Sequence, residues 1–293
     1  MYEVVDGIIS EQRQYEISGL QMMAFNTIFQ LMAVKLQNPD WLDNADALLL
    51  MPDYLGFRLT GCHSAEYTHA STTQLLDAST HDWSDEIISA LGFPRRIFQP
   101  IQPPGTVLGD FTKEIQEAVG FNCTVVRVGS HDTASAVLAV PSLDSDFLYI
   151  SSGTWSLFGT ELQKPNCTEA SRKANFTNEG GVGFRIRYLK NIMGFWMIQS
   201  VRNEFEARGE KYPFTEINAM AEASPITTLV DCDDPSFFAP KSMTQAIVDY
   251  CTKTNQPVPV TMGEFAAVAL RSLAKRYAIA VKEMEGITGK RYS

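Results

Sequence analysis

The chain has 293 residues, 45% of them hydrophobic and 20% charged, which is the composition of an ordinary globular protein with enough apolar residues for two cores. Lysine and arginine number 24 against 34 aspartates and glutamates, a formal net charge of -10, so the overall charge gives no pull toward nucleic acid or an anionic membrane. The five cysteines, Cys62, Cys123, Cys167, Cys232 and Cys251, show no C-x-x-C spacing and are odd in number, and no apolar run approaches a signal peptide or a membrane span; both point to a reducing, cytoplasmic setting. The Asn-x-Thr triplets at Asn122, Asn166 and Asn175 are then coincidental, because they would not meet the glycosylation machinery.

In chain order, Asn26 to Leu36 carries apolar residues at helical spacing and stops before an Asn-Pro-Asp turn. DNADALLLMPDYLGFRLTGC reads as a buried apolar run, a break at Pro52 and a short helix closed by Gly61. SDEIISALGFP has full helix punctuation: Ser84 as N-cap, Asp85 and Glu86 in the first turn, Gly92 past the end and Pro94 beyond. FQPIQPPGTVLG reads as an extended surface connector leading to a short helix and the strand Thr124 to Val128. The polar turn cluster Pro141 to Asp146 is the expected domain boundary, giving domains of 1–141 and 146–293. After it, FLYISSGTWSLFGTEL has the layout of a β-hairpin around Ser152, Gly153 and Thr154. Gly194 to Ala207 and Met262 to Gly286 read as amphipathic helices, the second with Phe265, Ala269, Leu273, Tyr277, Val281 and Met284 on one stripe.

Two features can carry chemistry. GSHDTASAV, Gly129 to Val137, sets Ser, His and Asp side by side, which excludes a hydrolytic relay because adjacent side chains diverge instead of converging. Its better reading is a strand end, a tight turn and a helix start that exposes Asp132 where α/β folds hold ligands. The second feature is the Ser152, Gly153, Thr154 turn. A carboxylate and such a turn on the two lips of a cleft suit phosphoryl transfer, with turn N–H groups and the Thr hydroxyl on phosphate and the carboxylate as base, an assistance worth roughly 10²–10⁴-fold. Each feature has a plainer alternative: Asp132 as a helix N-cap, the turn as a turn, His131 as a core histidine. Trp155, Phe195 and Trp196 read as core, and His63, His69 and His81 have no spacing that makes a metal site.

GSHDTASAV, YISSGTWSLFGTEL, NFTNEGGVG and RYLKNIMGFWMIQ together resemble the FGGY family of carbohydrate kinases, and within it the kinases acting on L-rhamnulose. MPDYLGFRLTG, EYTHASTTQLLD, DWSDEIISALGFPRRIF and GEFAAVALRSLAKRY extend the resemblance over essentially the whole chain. The resemblance implies an α/β fold of two actin-like, ribonuclease H-like lobes, each a mixed sheet flanked by helices. It implies transfer of the γ-phosphoryl group of ATP, with Mg²⁺, to the 1-hydroxyl of L-rhamnulose. Carried onto this chain, it makes Asp132 the general base, His131, Thr133 and Asn191 sugar contacts, and Gly153, Thr154 and Gln199 nucleotide contacts.

Two motifs of the family find no counterpart: the N-terminal D-x-G phosphate hairpin and the C-terminal Gly-rich adenosine loop. The expectation is therefore that both lobes are incomplete, that this polypeptide alone is nearly inactive, and that it self-associates through exposed sheet edges. A non-catalytic remnant that binds sugar or a partner chain, and an FGGY kinase for another ketose, stay open beside that reading.

Overall fold

A computed structural model describes residues 1–142 and 147–292, which fall into two compact units, Met1–Phe147 with Gly159–Leu189, and Leu148–Phe158 with Lys190–Ser293. Residues 143–146, the larger part of the expected boundary cluster, lie outside the described residues.

One hydrophobic core of the first unit is built by its first hundred residues. The helices Glu11–Ser18, Thr27–Gln37 and Asp85–Ala90 bury Ile17, Ile28, Phe29, Met32, Ile87 and Ile88 against Leu75, Leu91 and Ile97. Local signals set their ends: Ser84 Oγ accepts from Ile87 N at 3.2 Å, and Gly61 closes the Met51–Thr60 helix in the left-handed conformation. Pro52 separates this helix from the apolar run before it, as the sequence suggested. It occupies the first turn of that helix, where its missing N–H has no partner to lose.

Short strands connect these helices. Ala65–Glu66 pairs parallel with Ile101–Gln102, Leu76–Asp77 antiparallel with Asp82–Trp83, and Val107–Asp110 antiparallel with Thr124–Val126. The strand expected over Thr124 to Val128 thus ends at Val126. Thr177–Gly180 runs antiparallel to the first half of Ile186–Met193, with Gly180 opposite Ile186 and Thr177 opposite Leu189. A Cβ on Gly180 would lie 2.6 Å from Tyr67 Cε1, so only glycine lets this strand approach the Tyr67–Ala70 helix so closely.

Strands Tyr149–Ser152 and Trp155–Leu162, which belong to the second unit up to Phe158, form the expected hairpin with Gly153 and Thr154 between them. The 27-residue helix Met262–Thr288 opens on a capping box of Thr261 and Glu264 and buries Phe265, Ala266, Ala269, Leu273, Ala280 and Met284. The expected stripe is buried at Phe265, Ala269, Leu273 and Met284, whereas Tyr277 and Val281 are half-buried and Ala280 takes the core position between them, because steps of four residues advance 40° beyond a full helical turn. Among the described residues no helix is long and apolar enough to cross a membrane, and all five cysteines are free.

Candidate functional site

The loop Gly129 to His131 leads into the helix Asp132–Leu138. Its backbone is fixed by Glu66, a buried carboxylate whose Oε2 accepts from Ser130 N at 3.0 Å and Ser130 Oγ at 2.7 Å. The same carboxylate caps the Tyr67–Ala70 helix through Thr68 N at 2.9 Å, Thr68 Oγ1 at 2.6 Å and His69 N at 3.2 Å. His131 N donates to Thr68 Oγ1 at 3.2 Å, and Ser135 Oγ to Gly129 O at 2.5 Å. Asp132 stands on this rigid base with its side chain 95% exposed. Its Oδ1 accepts from the adjacent Thr133 N at 2.6 Å. The N-cap position belongs to His131, so the plainer reading of Asp132 as N-cap is displaced by one residue.

His131 is largely enclosed. Its Nδ1 lies 2.7 Å from Arg187 Nη2 and 3.5 Å from Glu179 Oε2, and its Nε2 lies 3.8 Å from Asp132 Oδ1. The His69 ring stacks beside it at 6.2 Å between centroids, with Nδ1 buried and without a partner among the described residues. Burial pushes both imidazoles below their ordinary pKa of 6.5. Asp53, which accepts from Glu66 N at 3.0 Å, is pushed up to about 6, chiefly by burial.

The remaining sequence-derived site residues, Gly153, Thr154, Asn191 and Gln199, lie in the second unit. The carbonyl of Gly153 accepts from Phe195 N at 2.9 Å, and that of Thr154 from Gly194 N at 3.1 Å and Trp196 N at 3.2 Å. These bonds clamp the hairpin loop to the start of the Trp196–Ala207 helix, which carries Gln199 one turn in. Asn191 lies on Ile186–Met193, the strand leading into that helix. Ser156 Oγ, 2.5 Å from Tyr277 OH, ties the hairpin to the long helix.

Two expectations change here. Gly153 donates its N–H to Trp155 O at 2.7 Å and has no positive φ, so neither a free N–H nor a special backbone conformation explains the glycine. The aromatics read as core are not core: Phe195 is exposed, and Trp155 and Trp196 are half-buried, Trp155 packing on exposed Phe238 at 5.9 Å. Strand and helix ends bring them to the surface, which residue type alone does not reveal.

Glu66, His69, Glu179 and Arg187 were missed. The signals were present: Glu-x-Thr-His at a helix start, and an arginine inside an apolar strand. Neither says which loop such a residue will meet.

Family models match both parts of the chain: the N-terminal domain of the FGGY family of carbohydrate kinases over residues 2–139, and its C-terminal domain over residues 148–292. The chain belongs to the FGGY family of carbohydrate kinases. Similar curated relatives are the rhamnulokinases of Oceanobacillus iheyensis, 44% identical over 98% of this chain and 60% of the relative, and of Bacillus subtilis, 39% identical over 96% of this chain and 57% of the relative. The chain thus spans about 60% of the length of the curated relatives it matches. Among solved structures, the xylulose kinase of Lactobacillus acidophilus (TM-score 0.73, 16% identity, 97% of this chain and 57% of that one) and the glycerol kinase of Plasmodium falciparum (TM-score 0.73, 14% identity, 99% and 58%) share the fold. The α/β fold is therefore that of the FGGY kinases, of the actin-like, ribonuclease H-like class.

Proposed function

We propose that this chain carries sugar-binding and nucleotide-binding machinery of a rhamnulokinase-type kinase, which transfers the γ-phosphoryl group of ATP to the 1-hydroxyl of L-rhamnulose in the cytoplasm. The observation that carries the reading is Asp132: an exposed carboxylate on a backbone that a buried glutamate immobilises, in a chain 44% identical to a rhamnulokinase. Phosphoryl transfer asks the protein chiefly for position and charge, and a fixed backbone under a free carboxylate meets the first demand. Asp132 accepts the proton of the sugar hydroxyl as that oxygen bonds to the γ-phosphorus. The bond from phosphorus to the β–γ bridging oxygen breaks, and its electron pair leaves with ADP.

His131, Thr133 and Asn191 contact the sugar, and Gly153, Thr154 and Gln199 the nucleotide. For the turn, the Thr154 hydroxyl takes the larger share, since the Gly153 N–H is spent inside the hairpin. Among the described residues no group of three His, Cys, Asp or Glu side chains could hold a metal ion, so these residues do not by themselves build a Mg²⁺ site. The ion would come bound to the phosphates of ATP. Self-association through exposed apolar surface belongs to the same proposal.

The test is a panel of ketoses with coupled detection of ADP, run on a protein of the relatives' full length. L-Rhamnulose should be the best acceptor. Preference for another ketose would move the protein elsewhere in the family, and no ketose-dependent ADP would leave only a binding role.

A further inference from the structure

Arg187 is the largest fully buried side chain among the described residues, with 0% exposure. A guanidinium is costly to take out of water unless it is paired, so its partners carry information. Its Nε donates to Gly180 O at 3.1 Å, and its Nη2 stands 3.0 Å from Glu179 Oε2 and 2.7 Å from His131 Nδ1. A guanidinium has donors only and keeps its charge at any ordinary pH. Nδ1 of His131 must therefore accept, and the neutral ring carries its one proton on Nε2. That Nε2–H lies 3.8 Å from Asp132 Oδ1, too far for a direct hydrogen bond and close enough for one oxygen atom to touch both.

We propose that Arg187, held by Glu179, is a positioning residue that fixes His131 as the Nε2–H tautomer, so that His131 donates to the same sugar hydroxyl oxygen whose proton Asp132 accepts. For the sugar this rests on the kinase reading above; for the tautomer it rests on the geometry of the first unit alone. The consequence is a division of labour. His131 cannot compete with Asp132 for the proton, and the charge that grows on the oxygen as it attacks phosphorus meets a donor already in place.

The charged and titratable groups facing His131 are Asp132 on its own helix, His69 on the Tyr67–Ala70 helix, Glu179 and Arg187 on the paired strands, and Glu66 behind Ser130. Burial disfavours the imidazolium most; Glu179 and Asp132 favour it, and Arg187 and His69 oppose it.

The test is ¹⁵N-histidine NMR on the chain without ligand, its 4 histidines assigned by single His→Gln variants, from about pH 5 to about pH 8. His131 is expected to be protonated on Nε2 alone in its neutral form. Arg187→Met should mix the two tautomers and raise the His131 pKa, because a cation is lost while Glu179 and Asp132 remain. Glu179→Gln keeps the guanidinium, so the tautomer should hold while the pKa moves down. Opposite directions separate control of the tautomer from a general loosening of the fold, and if Arg187→Met does not fold, the wild-type tautomer and Glu179→Gln decide. A wild-type His131 protonated on Nδ1, or a Glu179→Gln chain whose His131 pKa rises, overturns the proposal. None of these readings needs sugar or ATP. A chain that shows the tautomer but phosphorylates no ketose leaves the hold of Arg187 on His131 standing and removes the shared hydroxyl. In an active protein, Arg187→Met should add to the kcat/KM profile an ionisation near the ordinary imidazole range that the wild type lacks.

Discussion

Asp53 holds a carboxyl out of water with only one of its two oxygens hydrogen-bonded: Oδ1 accepts from Glu66 N, while Oδ2 is buried without a partner among the described residues. Its pKa is raised from 3.8 to about 6. A group whose folded pKa lies above its unfolded one contributes fully below the unfolded value and loses that contribution as pH rises through the folded value, here between 3.8 and about 6. At about 1.4 kcal/mol per pH unit, keeping Asp53 ionised at neutral pH costs on the order of 2–3 kcal/mol. Asp53→Asn retains the acceptor for Glu66 N and removes the charge. It should stabilise the protein at pH 7.5 by up to about 2 kcal/mol and have no stabilising effect near pH 4, as read by urea unfolding at both pH values. Equal effects at the two would contradict the buried-carboxylate account. His131 and His69 have the opposite sign. Their folded pKa values are lowered, so the unfolded chain binds more protons as pH falls below 6.5, and stability is lost in that direction. In His131→Gln this acid-side loss should shrink measurably in the same unfolding series.

The hairpin loop and the helix after it stand or fall together, since three N–H groups from Gly194, Phe195 and Trp196 bind two loop carbonyls. The glycine that matters to this junction is Gly194, not Gly153. A Cβ on Gly194 would lie 2.7 Å from Ser156 Oγ, 2.7 Å from the Trp155 carbonyl carbon and 2.8 Å from Gly153 O, whereas a Cβ on Gly153 would meet only Trp155 O at 3.8 Å. Gly194→Ala should therefore destabilise by roughly 1–3 kcal/mol and weaken ATP binding, while Gly153→Ala should change stability by no more than about 0.5 kcal/mol. Calorimetric titration with ATP alongside thermal unfolding checks both, and the reverse order would return the requirement to the turn. Elements were well legible in the sequence where their signals are local. Ser84, Gly92 and Pro94 bracket a helix through bonds made within a few residues, and the 149–162 hairpin follows from alternation around a short turn. Burial was not legible in the same way. The Met51–Thr60 helix has the apolar content of a core element, yet Met51, Tyr54 and Leu55 are exposed and Asp53 is its buried residue. Which face of a short helix meets the core depends on packing partners far along the chain.

Over the whole molecule the candidate site divides in the same way. His131, Asp132 and Thr133 were legible because they are adjacent in sequence. The side chains that set their chemistry, Glu66 at one remove and Glu179 with Arg187 at another, come from segments about 50 to 65 residues away, a pairing that strand register creates and composition does not disclose. The surface carries a prediction of its own. Val107, Phe121, Val126 and Val128 are all at least half exposed on or beside the ribbon Val107–Asp110 and Thr124–Val126, with Val128 at 67%. Apolar side chains along an exposed strand pair invite association, so light scattering should show a mass that rises with concentration, and Val126→Lys with Val128→Lys should reduce it. A monodisperse monomer at every concentration would count against this. Whether Asp132 takes the proton in phosphoryl transfer to a sugar is decided most directly by Asp132→Asn in a protein of the relatives' full length. The amide keeps the shape and cannot accept the proton. L-Rhamnulose-dependent ADP formation should fall by about 10²-fold or more while sugar affinity by calorimetry stays within about tenfold. Turnover equal to the wild type would contradict it.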